Sequence, residues 1–434
     1  MKLLIFRYLI YGCQFFSSIL VLEKLVDKDI YSFGIFQTLI GTLLYAQLGL
    51  PQNFIKQNIN ELNNSILKKN LEIYQGAQIG ISLILLPFFL FIGVYFSNSI
   101  TYGILISLNV FLISLINVFG AYFRIRNNIY LWILSVGSYT AVAVIYLLIP
   151  KEPSLLNLLL FISIFNIIIT SIFFFKTKTI IRIVNFTKTV KSSIVQLVMN
   201  FGAPFLIIIN RYFALNQDYE NFKIYQEIFI VFSAAGLIVN SISQLLSAKI
   251  LKTIGNDNYR LQLWIANNLI TTVFLITSFG YALSNLVVFK YSLIFQNNII
   301  LYLAFLMPTF LIINHNFFIS KNKEIYTLIP LFASLLVYLI PNLNTYNYLI
   351  YSMFVYVLIY NVIFFKLKDD SNHKLYLLSL RNILIITALV FLLNYLSFYS
   401  YILILILLLI YRSRVKILVL NLIKFYNDKD SFLV

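Results

Sequence analysis

The chain has 434 residues, of which 61% are hydrophobic and 11% charged, with a mean hydropathy of +0.89 and a formal net charge of +17. A soluble enzyme is excluded by that composition, since no single water-facing core absorbs so large an apolar fraction. The basic excess does not point to nucleic acid, because Lys and Arg sit between apolar runs, where orientation in a membrane accounts for them.

In chain order, the apolar runs predict spans at 3–21, 31–50, 73–96, 100–123, 129–149 and 155–175. A basic linker, 176–193, follows, and then spans at 194–214, 222–246, 263–288, 299–319, 326–340 and 346–365. Two short runs, 382–396 and 398–411, read as a closing hairpin. The N-terminal run lacks a small-residue cleavage pattern before Glu23 and reads as the first span rather than a signal peptide. The expected fold is an all-α polytopic membrane protein of about 14 transmembrane helices, about 12 of them core. The expected domains are an N-terminal six-helix lobe (1–175), the linker (176–193), a C-terminal six-helix lobe (194–365) and the hairpin with its basic tail (366–434).

With both termini on the cytoplasmic side, 26 of the 32 Lys and Arg residues fall on the inner face, which is the asymmetry that sets orientation. The longer inner segments, 51–72 and 176–193, are basic and are expected to lie along the anionic inner leaflet. Even span counts keep the halves parallel, and a short repeat marks them. Phe33-Gly34-Ile35-Phe36-Gln37 recurs as Phe222-Lys223-Ile224-Tyr225-Gln226 at an offset of 189, each after an acidic turn.

Polar faces run along four of these spans. Arg7, Tyr11, Gln14, Ser17 and Ser18 share one side of the first span. Tyr31, Gly34, Gln37, Thr38, Gly41, Thr42, Tyr45 and Gly49 share one on the second, with Gln47 the exception. Gln196, Asn200, Pro204 and Arg211 do so on the seventh, and Gln226, Glu227, Ser233, Asn240, Ser241 and Gln244 on the eighth. A polar stripe cannot face lipid, so spans 1, 2, 7 and 8 are expected to wall a hydrophilic cavity, with helix packing as the plainer alternative. Span three adds Gln75, Gln78 and Ser82.

Candidate substrate-binding residues are Arg7, Lys24, Gln37, Arg211, Gln226 and Asn240. Arginine suits phosphate because its planar fork binds bidentately. Arg7 equally suits snorkelling to lipid phosphate, Arg211 an ion pair with Glu227, and Lys24 a solvated turn beside Glu23. Glu227, the one carboxylate well inside a predicted span, is the candidate for ion coupling. His315 between Asn314 and Asn316 reads as an interhelical hydrogen-bonding residue. The single Cys13 and two histidines offer no metal-ligand cluster, and neither a catalytic constellation nor a glycine-rich phosphate loop is present.

Several stretches resemble the polysaccharide flippases of the multidrug/oligosaccharidyl-lipid/polysaccharide exporter superfamily. These are LEKLVDKDIYSFGIFQ (22–37), AQLGLPQNFIK (46–56), the Ala-Tyr-Phe-Arg-Ile run at 121–125, and Gly202-Ala203-Pro204 leading to Asn210-Arg211. Asn210 stands where that family usually carries Asp, and the Pro that often ends the eighth span is missing. The resemblance implies a flippase that moves undecaprenyl-pyrophosphate-linked oligosaccharide units across a bacterial inner membrane by alternating access, for O-antigen or capsule. It implies membrane lipids and other polysaccharide-assembly membrane proteins as partners, and no cofactor. A multidrug or cation antiporter of the same superfamily is the alternative. A membrane-embedded polymerase is disfavoured by the short outer turns.

Overall fold

The computed structural model describes residues 2–58, 63–198 apart from 127 and 151, 203–216, 220–229 and 324–367, with isolated positions at 61, 301, 304, 311, 377, 381, 384 and 388. Every element among the described residues is helical. Chain contacts divide it into two units, one of residues 2–200 with 211–226, the other of 201–210 with 227–432. Asn240, His315 and the span at 263–288 lie outside the described residues, as do the span at 299–319 and the closing hairpin apart from those isolated positions.

The first unit begins with α1 (Lys2–Lys24) and α2 (Asp27–Ala46). The second span was expected to reach residue 50, but α2 stops at Ala46 because Leu48 and Gly49 turn to φ 49° and 73°. That left-handed region is where glycine is unstrained. The chain turns there into α3 (Leu50–Asn58), with Pro51 in its first turn, where a missing N–H costs nothing. α3 buries Leu50, Pro51, Asn53, Phe54 and Asn58 and leaves Lys56 exposed.

α4 (Asn64–Ser97) starts nine residues before the apolar run, because its polar first turns are capped: Asn63 Oδ1 accepts from Ser65 N at 2.9 Å. It ends at Asn98, φ 51°, and Ser99 caps α5 (Ile100–Ile125). The hairpin closes tightly. A Cβ added at Gly93 would meet Gly103 Cα at 3.0 Å, so the two backbones cross almost in contact.

α5 is the hub, packing against α3, α4, α6 (Ile129–Leu148) and α7 (Leu155–Thr177). Its polar groups are satisfied within that packing. Asn109 Nδ2 donates to Ser163 Oγ at 2.8 Å and to Leu159 O at 3.2 Å, and Asn166 Nδ2 donates to Asn109 Oδ1 at 3.1 Å. In hydrocarbon such groups need protein partners, and α5 and α7 supply them to each other. At their N-terminal ends Asp29 ties α2, α5 and α7: Leu155 N donates to its Oδ2 at 3.1 Å and the Tyr102 hydroxyl to its Oδ1 at 3.4 Å.

Beyond α7, Lys178 turns left-handed and an extended stretch leads into α8 (Phe186–Val198). Helix therefore begins within the stretch expected to be linker. α9 (Ala203–Leu215) follows, with 199–202 undescribed between them, and a further helical stretch occupies 220–229.

In the second unit the expected span 326–340 falls on a continuous helical element that is not α-helical throughout. It comprises a 3-10 turn (Glu324–Thr327), α10 (Leu328–Leu335) and a second 3-10 turn (Leu336–Leu339). Ile340 is extended, as a residue before proline tends to be, and Pro341 ends the element. α10 packs on α11 (Thr345–Leu367), and the Tyr338 and Tyr348 rings stack at 5.4 Å. Asn210 Nδ2 donates to Thr345 O at 2.7 Å, tying α9 to the first residue of α11.

Four described helices, α4, α5, α7 and α11, are long and apolar enough to cross a membrane, or five if α6, bent by 62° between Gly137 and Tyr139, counts as one span. The chain is a multi-pass membrane protein.

Candidate functional site

The site grows from the sequence repeat. Gln37 on α2 and Gln226 on the 220–229 stretch are its equivalent positions, and they converge on one nitrogen. Arg211 Nη2, on the last turns of α9, donates to Gln37 Oε1 at 3.0 Å and to Gln226 Oε1 at 3.1 Å. Arg211 is 6% exposed and Gln226 2% exposed, so the guanidinium is held by protein rather than water. Two amide oxygens aimed at a buried cation are charge-assisted acceptors, the stronger kind of hydrogen bond.

The chain of donors continues. Gln37 Nε2 donates to Ser18 Oγ on α1 at the long distance of 3.5 Å, and Ser18 Oγ donates to Gln14 O at 3.0 Å. One polarised line thus runs from the guanidinium through α2 into the backbone of α1, each donor strengthened by the one before it. It joins the four helices whose polar faces the sequence singled out.

Shape fixes the joint as well as charge. Gly34 is buried, and a Cβ there would drive into the Phe222 ring and lie 2.7 Å from Gln226 Nε2. Tyr31 packs edge-on to Phe222 at 5.1 Å, and its hydroxyl donates to Leu215 O at the end of α9. Glycine at 34 is therefore what lets the second repeat segment lie directly on α2.

The other expected site residues lie elsewhere. Lys24 is half-buried at the end of α1, six residues beyond the Ser18 that Gln37 meets, and Glu227 is half-buried one position beyond Gln226, grouped with the second unit. Arg7 lies on α1, with its surroundings outside the described side chains, and Asn240 lies outside the described residues. Gln75, Gln78 and Ser82 form a second buried group on α4: Gln78 Nε2 donates to Ser82 Oγ, which meets Ser114 Oγ, both at 3.0 Å. Neither end of the Gln75 amide has a partner among the described residues. Ser18 joins this line without being among the candidate site residues, and its place on the polar stripe of the first span is the sequence signal for it.

Among the described residues no three His, Cys, Asp or Glu side chains gather as metal ligands would. No protein-family model and no curated protein matches the sequence. Solved structures do match the fold. An inward-facing multidrug resistance MATE family transporter of the MOP superfamily superposes with a TM-score of 0.54 at 12% identity, over 85% of this chain and 94% of that one. The fold is that of the MATE transporters. A MATE protein in complex with MaD3S gives 0.54 at 12% identity over 87% and 95% of the two chains, and the eukaryotic MATE transporter AtDTX14 gives 0.52 at 10% over 88% and 95%. Likeness at such identity is one of architecture alone.

Proposed function

We propose that this MATE-fold chain is a transporter that carries an amphipathic solute across a bacterial inner membrane by alternating access, with both termini cytoplasmic. The observation that carries the reading is the largely buried line Ser18–Gln37–Arg211–Gln226, which joins four helices and contains the repeat-equivalent pair Gln37 and Gln226. A joint made of hydrogen bonds to one cation can part and re-form without leaving a large apolar surface in water. Closure on the outer side is its role in this reading, and opening that side exchanges the glutamine oxygens for cargo or water.

Two cargo classes follow. Export of an organic solute, coupled to an ion through Glu227, is favoured by the solved neighbours, one of which is described as a multidrug resistance transporter. Movement of a lipid-linked oligosaccharide is the second reading, favoured by a buried guanidinium suited to pyrophosphate and by the flippase-like stretches of sequence. Here Arg7 and Lys24 would meet phosphate near the two membrane faces, with Gln37, Gln226 and Asn240 on sugar hydroxyls.

Deletion in the native host separates them when drug tolerance and undecaprenyl-linked intermediates are measured in one strain. Greater drug sensitivity with intact surface glycan supports solute export. Lost surface polymer, with single repeat units held at the inner face, supports the flippase. If neither changes, and the purified protein in liposomes moves neither a drug nor a lipid-linked glycan, the transporter reading is wrong.

A further inference from the structure

Between α7 and α8 the chain runs as an extended strap, and its side chains do the opposite of what a soluble loop's would. Ile180, Ile181, Ile183 and Val184 are 67%, 44%, 65% and 52% exposed. Four neighbouring aliphatic residues left open is more apolar exposure than a surface loop in water sustains. Lys176, Lys178, Lys188 and Lys191 flank them, all exposed.

The strap is held in place. Glu72 on α4 takes it at three points: Arg182 Nε at 2.8 Å from Oε2, Ile180 N at 3.3 Å from Oε1, and Arg182 N at 3.4 Å from its carbonyl oxygen. The Glu72 side chain is 6% exposed, whereas that of Arg182 is 48% exposed. Gly76 allows the contact, since a Cβ there would run into the Arg182 carbonyl, and a Cβ at Gly80 would come within 2.7 Å of the Phe186 ring.

Depth follows from the length of α4. Its 34 residues span about 51 Å, against about 30 Å of hydrocarbon. About 20 residues counted back from Ser97 bring the hydrocarbon boundary to the neighbourhood of Gln78. Gly76 and Glu72 then lie about 3 Å and about 9 Å beyond it, at headgroup level, and Gly80 about 3 Å within. The clamp therefore presents four aliphatic side chains and four lysines to the layer where acyl chains give way to phosphates.

We propose that residues 178–185 form an interfacial lipid-docking strap, which inserts Ile180, Ile181, Ile183 and Val184 at the headgroup–acyl boundary of an anionic phospholipid leaflet while the flanking lysines lie on the phosphates. The Glu72–Arg182 pair is its positioning contact. Apolar insertion plus basic flanks is the combination that makes surface binding depend on lipid charge. The strap is independent of what the protein carries.

The test uses the full-length chain with Cys13→Ser and a single reporter, Ile183→Cys or, in a second variant, Ile180→Cys, labelled with an environment-sensitive fluorophore. It is reconstituted in phosphatidylcholine vesicles with or without about a third phosphatidylglycerol. Quenching by lipids brominated high on the acyl chain is expected to rise by about two-fold or more with phosphatidylglycerol, and to lose that rise when the four lysines become Gln. Added Glu72→Gln is expected to weaken the quenching at both positions. Unchanged quenching in Glu72→Gln overturns the positioning role. A label reached by aqueous iodide and not by brominated lipid overturns the insertion, as does one shielded from both, which would report a protein cover.

Discussion

Two buried polar clusters in the first unit differ in kind although both sit among apolar helices. The knot of Asn109, Ser163 and Asn166 joins two neighbouring helices, α5 and α7, through neutral groups. The line through Ser18, Gln37, Arg211 and Gln226 joins segments up to 174 residues apart and is centred on a cation. Neutral pairs between adjacent membrane helices contribute about 0.6 kcal/mol each, the scale of packing glue. Hydrogen bonds to a charged group contribute about 1.5–3 kcal/mol, and their strength depends on keeping water away. The first cluster has the properties of a fixed seam, and the second those of a joint whose strength changes with hydration.

Substitutions sharpen or break that contrast. The largest effect is expected from Arg211→Gln, which removes the cation: turnover in proteoliposomes should fall by about ten- to a hundredfold, the equivalent of the charge-assisted bonds lost. Comparable detergent-solubilised stability should accompany it, and normal transport by Arg211→Gln would reduce the joint to another seam. Next, Gly34→Ala should cost about 1–3 kcal/mol by overpacking Phe222 and Gln226. Adding Phe222→Leu should recover much of the loss in a thermal unfolding series, and independent, additive effects would contradict the direct contact.

Asn109→Leu should act the other way round from Arg211→Gln, lowering thermal stability by about 0.6–1.7 kcal/mol while transport per folded molecule is kept. Asn166→Leu should add little once Asn109 is gone, because the two share one hydrogen bond. The smallest effect belongs to Glu72→Gln. Its ion pair with the half-exposed Arg182 is screened, so a loss of at most about 1 kcal/mol is expected. Faster amide exchange confined to 178–185 is the sign to look for.

Much of this was legible in the sequence where one physical signal dominated. The ends of α5, α6 and α7 fall within two residues of the apolar runs that predicted them, because hydropathy changes abruptly there. Gln37 and Gln226 are marked in the sequence by the repeat and by their polar faces, and Arg211 as a basic residue in an expected outer turn, but their meeting at one nitrogen comes only from the fold. Where two signals competed, reading failed. The apolar run through residue 50 hid the turn at Leu48 and Gly49, and polar α4 residues before 73 are helical because of a cap rather than hydropathy. The 326–340 run is helical within two residues of its expected bounds, but 3-10 turns flank an α-helix of eight residues, which hydropathy does not register. Glu72 gave no sign of its role, since its partners come from residues 180 and 182, brought near only by the fold. Asn109 and Asn166 carried a faint one, as amides deep in apolar runs.

The separation of Gln37 from Arg211 also sets a timetable for biosynthesis. A ribosome adding about 5–20 residues per second makes the 174 residues between them in roughly 9–35 s. Through that interval α1 and α2 are already synthesised, with Ser18 and Gln37 still awaiting the guanidinium that completes their line. The nascent first half must therefore be held next to water, an insertion factor or another temporary partner until α9 arrives, and the joint is among the last parts of this unit to be finished.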